Sequence, residues 1–272
     1  MSTAGMDAIA AASYFPEITL TFGLTASDFV WQGFEQGNKD GCKEWPVPGT
    51  STLSYRGKPL AYMPFVYEHP TYLKKVEEET KGSGDIERST CLFIDSEKDR
   101  EHIEDEMIKI DNIRGKLILL GADDDSFWQA GKYVRRMEKR LKEHLHECEY
   151  EAVAYQYGTH FVLPESMLRM ALPVGLKFIM RFIFRSAKEH PDECEATRKD
   201  VDRRLSAVNR FHRGESGQHS GNRGCCSESS TFTVLLSADL WCTVWNDGWR
   251  IHSRQTHDIG CAGAFRHRRE GH

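Results

Sequence analysis

The sequence has no long uninterrupted apolar run. Its most apolar stretch, residues 170–184, is broken by Pro173, Lys177 and Arg181 and falls short of the roughly 20 residues a bilayer span requires. No membrane span is expected, and the stretch reads as a buried or lid helix. Residues 1–7, Met-Ser-Thr-Ala-Gly-Met-Asp, show no basic segment ahead of an apolar core and a small-residue cleavage site. No secretory signal is therefore expected, and the default compartment is cytoplasmic. A concentrated basic face is also missing: the formal charge is -5 and the sequence pI about 6.2, which sets nucleic acid aside as a partner. C-x-x-C pairs are missing too. Cys42, Cys91, Cys148 and Cys194 are scattered, with neither C-x-x-C spacing nor the density of a disulfide scaffold, so free thiols and no metal are expected. His144, His146 and Cys148 stand two apart, a spacing that does not share a helix face, and they read as helix surface and exit.

What is present is a strand running into a polar turn, twice. Lys116-Leu117-Ile118-Leu119-Leu120 opens onto Gly121-Ala122-Asp123-Asp124-Asp125, and Ala152-Val153-Ala154-Tyr155 opens onto Tyr157-Gly158-Thr159-His160. Between them Phe127, Ala130, Tyr133, Val134, Met137, Leu141 and Leu145 recur at three- and four-residue spacing, which predicts a helix over 126–146. A right-handed crossover makes the two strands parallel and brings both turns to one carboxyl rim, the edge where open α/β sheets bind their ligands. An acid followed in chain order by a histidine on that rim is the second half of a Ser…Asp…His arrangement. Upstream, residues 5–13 read as an alanine-rich helix with Met6 and Ile9 three apart. Pro16 ends it, and β-branched and aromatic residues predict a buried strand over 18–22. The serine ahead of that helix is Ser2.

Between about 25 and 112 no strand–helix alternation can be followed, and Gly, Pro and charged residues mark a long excursion from the sheet. Helices are expected around 166–190 and 192–208. Beyond about Asn209 the composition shifts. Lysine does not recur after Lys199, and His, Arg, Ser, Gly and Cys accumulate, without the paired spacing of a metal site. A segment with so little to pack is expected to be disordered, and so sharp a shift suggests an altered reading frame or an appended segment. Trp241, Trp245 and Trp249 stand four apart there, without helical sequence around them. The expected organisation is one α/β domain over 1–208, with the excursion at 25–112, and an atypical tail over 209–272.

Ser2-Thr3-Ala4-Gly5, the strand at 18–22, the segment Ser51-Thr52-Leu53-Ser54-Tyr55-Arg56-Gly57-Lys58-Pro59-Leu60, the turn Gly121-Ala122-Asp123-Asp124 and the turn Gly158-Thr159-His160 occur in a distinctive order. In that order, over residues 1–208, the chain resembles the C-terminal α/β-hydrolase domain of the acyl-CoA thioester hydrolase and bile acid-CoA:amino acid N-acyltransferase family. The resemblance implies acyl transfer from an acyl-CoA or related ester, with Ser2 as nucleophile, His160 as base and Asp124 orienting the imidazole. The backbone N–H of Thr3 would serve the oxyanion hole, and no cofactor would be needed. Serine rather than cysteine at the nucleophile position favours hydrolysis over transfer to an amino acid.

Two departures stand out. Ala4 replaces the second glycine of G-x-S-x-G, and the strand and glycine that precede such a serine are not in the sequence. The expectation is the C-terminal half of an α/β-hydrolase fold, with Ser2 on a free chain end and little or no turnover. Competing readings are simpler. The three aspartates suit a helix cap, and the expected division has Asp125 or Ser126 capping while Asp124 reaches His160. Phe178, Phe182 and Phe184 read as core, with an acyl channel as the alternative. For the whole chain, the rivals are a non-catalytic fragment or scaffold module and a carboxylic ester or dienelactone-type hydrolase. Acyl chain, acceptor and oligomeric state are not legible.

Overall fold

The structure, a computed structural model, describes residues 2–34, 46–66, 71–98, 103–166, 175–218, 232–237, 240–245 and 248–253. At its centre β1 (Leu20–Leu24), β6 (Lys116–Ala122) and β7 (Tyr150–Tyr155) form a parallel sheet in the order β1-β6-β7. The register is continuous: Leu24 pairs with Leu120 and Ala122 with Tyr155, so all three strands end on the same rim. The crossover between β6 and β7 is α4 (Ala130–Glu143), shorter than the 126–146 predicted from periodicity. Ala130, Tyr133, Val134, Met137 and Leu141 are buried as the spacing requires, whereas Leu145 lies beyond the helix and is fully exposed.

The central strand alternates between two apolar layers. Leu117 and Leu119 face α1 (Thr3–Tyr14) and α4, while Ile118, Leu120 and Ala122 face Val162 and Val201. Burying each of the leucines and Ile118 contributes about 1.5–3 kcal/mol relative to exposure. The second layer is closed by α7 (Pro191–Gln218), which carries Val201 and Leu205, and the Tyr155 hydroxyl donates to Asp200 on it at 2.8 Å. The result is a three-layer α/β arrangement, a parallel sheet with helices on both faces.

The described residues of the excursion form short strands and two helices. β2 (Gln32–Phe34) pairs antiparallel with β3 (Pro46–Ser51), and β4 (Ser54–Tyr55) with β5 (Lys58–Pro59), before α2 (Thr71–Ser83) and α3 (Thr90–Glu97). Its apolar residues Phe29, Trp31, Met63, Phe65 and Leu92 join the α1/α4 layer. Arg136 on α4 holds it there, gripping the buried Asp28 with Nε and Nη2 and donating through Nη1 to Glu97 at 2.8 Å.

Past β7 the chain forms α5 (Gly175–Ile183), α6 (Arg185–Glu189) and α7. The predicted single helix over 166–190 is thus broken at Phe184, and α7 runs ten residues beyond the expected boundary at 208. In the stretch expected to be disordered, the described residues are the end of α7 and three strands, β8 (Phe232–Ser237), β9 (Leu240–Trp245) and β10 (Gly248–Ser253), in a separate antiparallel sheet. Trp241 and Trp245 lie on β9 and Trp249 on β10. No helix among the described residues is long and apolar enough to cross a membrane.

One acid on α1 ties stability to pH. The Asp7 oxygen Oδ1 is enclosed without a hydrogen-bond partner, and burial pushes the carboxyl from 3.8 up to about 7. The folded state then holds a proton that the unfolded chain releases near pH 4. The contribution to stability is fully present below about pH 4 and is lost as pH rises through 7, at roughly 1.4 kcal/mol per pH unit between the two values. Asp7→Asn is expected to flatten that decline in a series of thermal melts from pH 4 to 8. An unchanged slope would show that the carboxyl is hydrated.

Candidate active site

Ser2 stands immediately before α1 with φ 59° and ψ -130°, a conformation that costs on the order of 1–3 kcal/mol and persists only where neighbours impose it. The neighbours are the end of β1 and the residue after it. The Ser2 N–H donates to the Leu24 carbonyl at 3.0 Å and to Thr25 Oγ1 at 3.1 Å, and its carbonyl accepts from Gly5 and Met6. The expectation of a free chain end is corrected: the serine is pinned to the carboxyl rim by the strand that follows it in sequence. Gly5 makes the approach possible, since a Cβ there would come within 2.7 Å of the Leu24 carbonyl oxygen. Thr3 opens the helix, so its N–H is one of the first-turn donors without an intrahelical acceptor.

The three aspartates after β6 divide three ways. Asp123 turns outward and meets the guanidinium fork of Arg135, with Nη1 at 2.8 Å from Oδ1. Asp124 turns toward the second rim turn, where its Oδ1 accepts the N–H groups of Gly158 at 2.9 Å and Thr159 at 2.8 Å. Burial raises its pKa, opposed by the hydrogen bonds from Thr159 and Gly158. Asp125, its side chain fully buried, takes the histidine: both carboxylate oxygens lie 2.9 Å from His160 Nδ1. The expected pairing of Asp124 with His160 is therefore corrected to Asp125. The same Asp125 oxygen also accepts from the N–H groups of Phe127 at 2.9 Å and Trp128 at 3.3 Å, so capping and pairing are done by one residue. Three identical side chains in a row cannot be ranked by sequence, because their directions are set by how the turn leaves the strand.

His160 is 4% exposed. With Nδ1 donating to Asp125, the lone pair is left on Nε2, the tautomer of a general base. Phe127 lies against the ring, centroid to centroid 4.7 Å, and Trp128 and Phe161 meet it edge-on at 5.7 and 5.5 Å. Trp128 also reaches back to the serine side, since its indole N–H donates to the Thr25 carbonyl at 3.0 Å. Thr25, wholly buried with φ 44°, thus holds Ser2 through its hydroxyl and Trp128 through its carbonyl, and Trp128 abuts His160.

Of the phenylalanine run, Phe184 is buried against Phe127 and Phe161, Phe182 is 74% exposed, and the Phe178 side chain lies outside the described residues. A cleft of about 690 Å³ is lined by Asp124, Asp125, Tyr157 and His190 among others, and by neither Ser2 nor His160. Cys91 and Cys194 are no alternative nucleophiles, because burial pushes both thiols up to about 11. Cys42 lies outside the described residues, and no His/Cys/Asp/Glu group suited to a metal occurs among those described.

The rim therefore presents a serine in a strained turn at a helix N-terminus beside β1 and a buried Asp–His pair carried by the turns after the next two strands. The family described as BAAT / Acyl-CoA thioester hydrolase C terminal matches residues 2–167, more than half of the chain. The chain belongs to this family. No curated protein matches it. Ser2, the three aspartates and His160 all fall inside the matched span of this BAAT/acyl-CoA thioester hydrolase domain, in agreement with the motif order in the sequence. Sequence reasoning missed Thr25 and Trp128. Thr25 had one legible signal, its position just past the first strand on the same rim; Trp128 had none.

Proposed function

We propose that this domain is an acyl-CoA thioester hydrolase of the serine type, with Ser2 as nucleophile, His160 as general base and Asp125 holding the imidazole. The observation that carries the reading is Ser2 itself, held in a strained turn by Leu24 and Thr25 on the rim that also bears the Asp125–His160 pair. His160 Nε2 takes the hydroxyl proton as Ser2 Oγ attacks the thioester carbonyl. The C–S bond breaks, the thiolate leaves with that proton as the free thiol, and an acyl-serine remains. Water, deprotonated by the same nitrogen, then releases the acid and regenerates Ser2. The developing oxyanion is served by the Thr3 N–H at the positive end of α1. Phe127 and Phe161 beside His160, with Phe184 packed against both, suit an apolar acyl group.

The test is release of free thiol from acyl-CoA of graded chain length, with a simple carboxylic ester as comparison. Ser2→Ala is expected to remove the activity and the labelling of the protein by a serine-directed phosphonate. Equal turnover by Ser2→Ala, or hydrolysis of the ester alone, would defeat the assignment.

A further inference from the structure

Asp124 shares the rim with Asp125 but does not touch the histidine. Its Oδ1 spans from the turn after β6 to the turn after β7 and accepts both amides that immediately precede His160. We propose that Asp124 is a positioning residue: it clamps the 158–159 backbone so that the His160 ring is delivered to Asp125.

The turn it holds is one the chain would not adopt unaided. Thr159 has φ 61°, a left-handed conformation in which a β-branched residue is a genuine outlier. Gly158 is hemmed in, with a Cβ position only 3.2 Å from the Ala122 and Thr197 side chains, so the turn cannot relax inward. Its far side is fixed by the Thr197 hydroxyl donating to the Tyr157 carbonyl at 2.5 Å, and the Asp123 N–H donates to the Tyr155 carbonyl at 2.8 Å. Between these anchors the Gly158 and Thr159 N–H groups converge on one oxygen. They set the peptide plane from which the His160 side chain departs.

The two neighbouring acids thus do different chemical work. Asp125 must present an acceptor to an imidazole N–H, which an amide turned nitrogen-first cannot do. Asp124 needs only an acceptor oxygen for two backbone donors, which the amide of asparagine supplies. Asparagine nitrogen would then take the place of Oδ2, which is buried and makes no hydrogen bond in the fold. Burial disfavours the charged form of Asp124, which is consistent with a role that needs no charge.

The kinetic arm of the test rests on the proposed hydrolase reading, whereas the spectroscopic arm does not. The His160 Nδ1–H, hydrogen-bonded to a buried carboxylate, should give a far-downfield proton resonance. Asp124→Asn is expected to keep that resonance and to release thiol from acyl-CoA within about threefold of the parent. Asp124→Ala is expected to lose or displace the resonance and to lower kcat about tenfold to a hundredfold with KM little changed, the size of effect that a small misplacement of a reacting group produces. Asp124→Ala combined with Thr159→Gly should recover part of the loss, since glycine takes φ 61° without strain. If Asp124→Ala does not fold, Asp124→Asn decides alone, and loss of the resonance in it overturns the proposal. So does an Asp124→Ala protein whose resonance and kcat are unchanged. A chain with no thioesterase activity at all defeats the hydrolase reading and leaves the resonance to judge the clamp.

Discussion

Replacing Asp125 with asparagine is expected to lower thiol release from acyl-CoA by up to about 10⁴-fold, to the level of Ser2→Ala, while leaving the melting temperature nearly unchanged. The amide has the shape of the carboxylate, and its oxygen can still accept the N–H groups of Phe127 and Trp128, so the turn is retained. The other terminus then presents an NH₂ group to His160 Nδ1, 2.9 Å away. That contact is satisfied only if Nδ1 becomes an acceptor and the ring proton moves to Nε2, the tautomer that cannot take a proton from serine. Steady-state kinetics and thermal melts on the Asp125→Asn and Asp124→Asn proteins separate the two acids directly. Equal activity in both would remove Asp125 from the proposed mechanism, and a large loss at position 124 alone would return the role to Asp124.

Gly5→Val should lower both stability and turnover. The glycine lies where the first turn of α1 meets the end of β1, and a side chain there collides with the Leu24 carbonyl and with Ala26. Neither can swing aside, since one is backbone and the other belongs to the buried core. The helix must lift, at about 1–3 kcal/mol for an overpacked contact. Ser2 is bonded to the same carbonyl and caps the same helix, so it moves too. A displacement near 1 Å is expected to cost about a hundredfold in kcat. Chemical denaturation gives the first quantity and thiol release the second. A destabilised protein with full turnover would show that Ser2 is positioned by something other than its seat on β1.

The central unit was legible in the sequence because it is built from local periodicity. Leu117 to Leu120 run without a polar break, as a strand buried on both faces must, and the three- and four-residue recurrence from Ala130 to Leu141 belongs to a helix with one buried face. Two such strands joined by such a helix are parallel for reasons of chain handedness, so the shared rim, and with it the meeting of the Asp turn and His160, follows from the sequence pattern. The first strand was legible with a shift of two residues, since Pro16 ends the helix but does not say where pairing begins. The excursion was not legible. Gln32 pairs with Ser51 far along the chain, the paired strands β4 and β5 are two residues each and too short to show a period, and Arg136 on α4 ties the segment to the core.

By itself, the sequence determined the α/β class, the family, the strand ends that carry the aspartate turn and His160, and the place of Ser2 ahead of both in chain order. Only the tertiary structure decided which of three adjacent aspartates meets the imidazole, that Ser2 is anchored by Leu24 and Thr25, and that Trp128 joins the two sides of the rim. The physical reason is common to all three. Residue type and spacing specify which element a side chain belongs to, whereas the direction it takes out of a turn depends on which backbone donors and acceptors lie across the gap. Those partners are brought within hydrogen-bonding distance only when β1, β6 and β7 come into register.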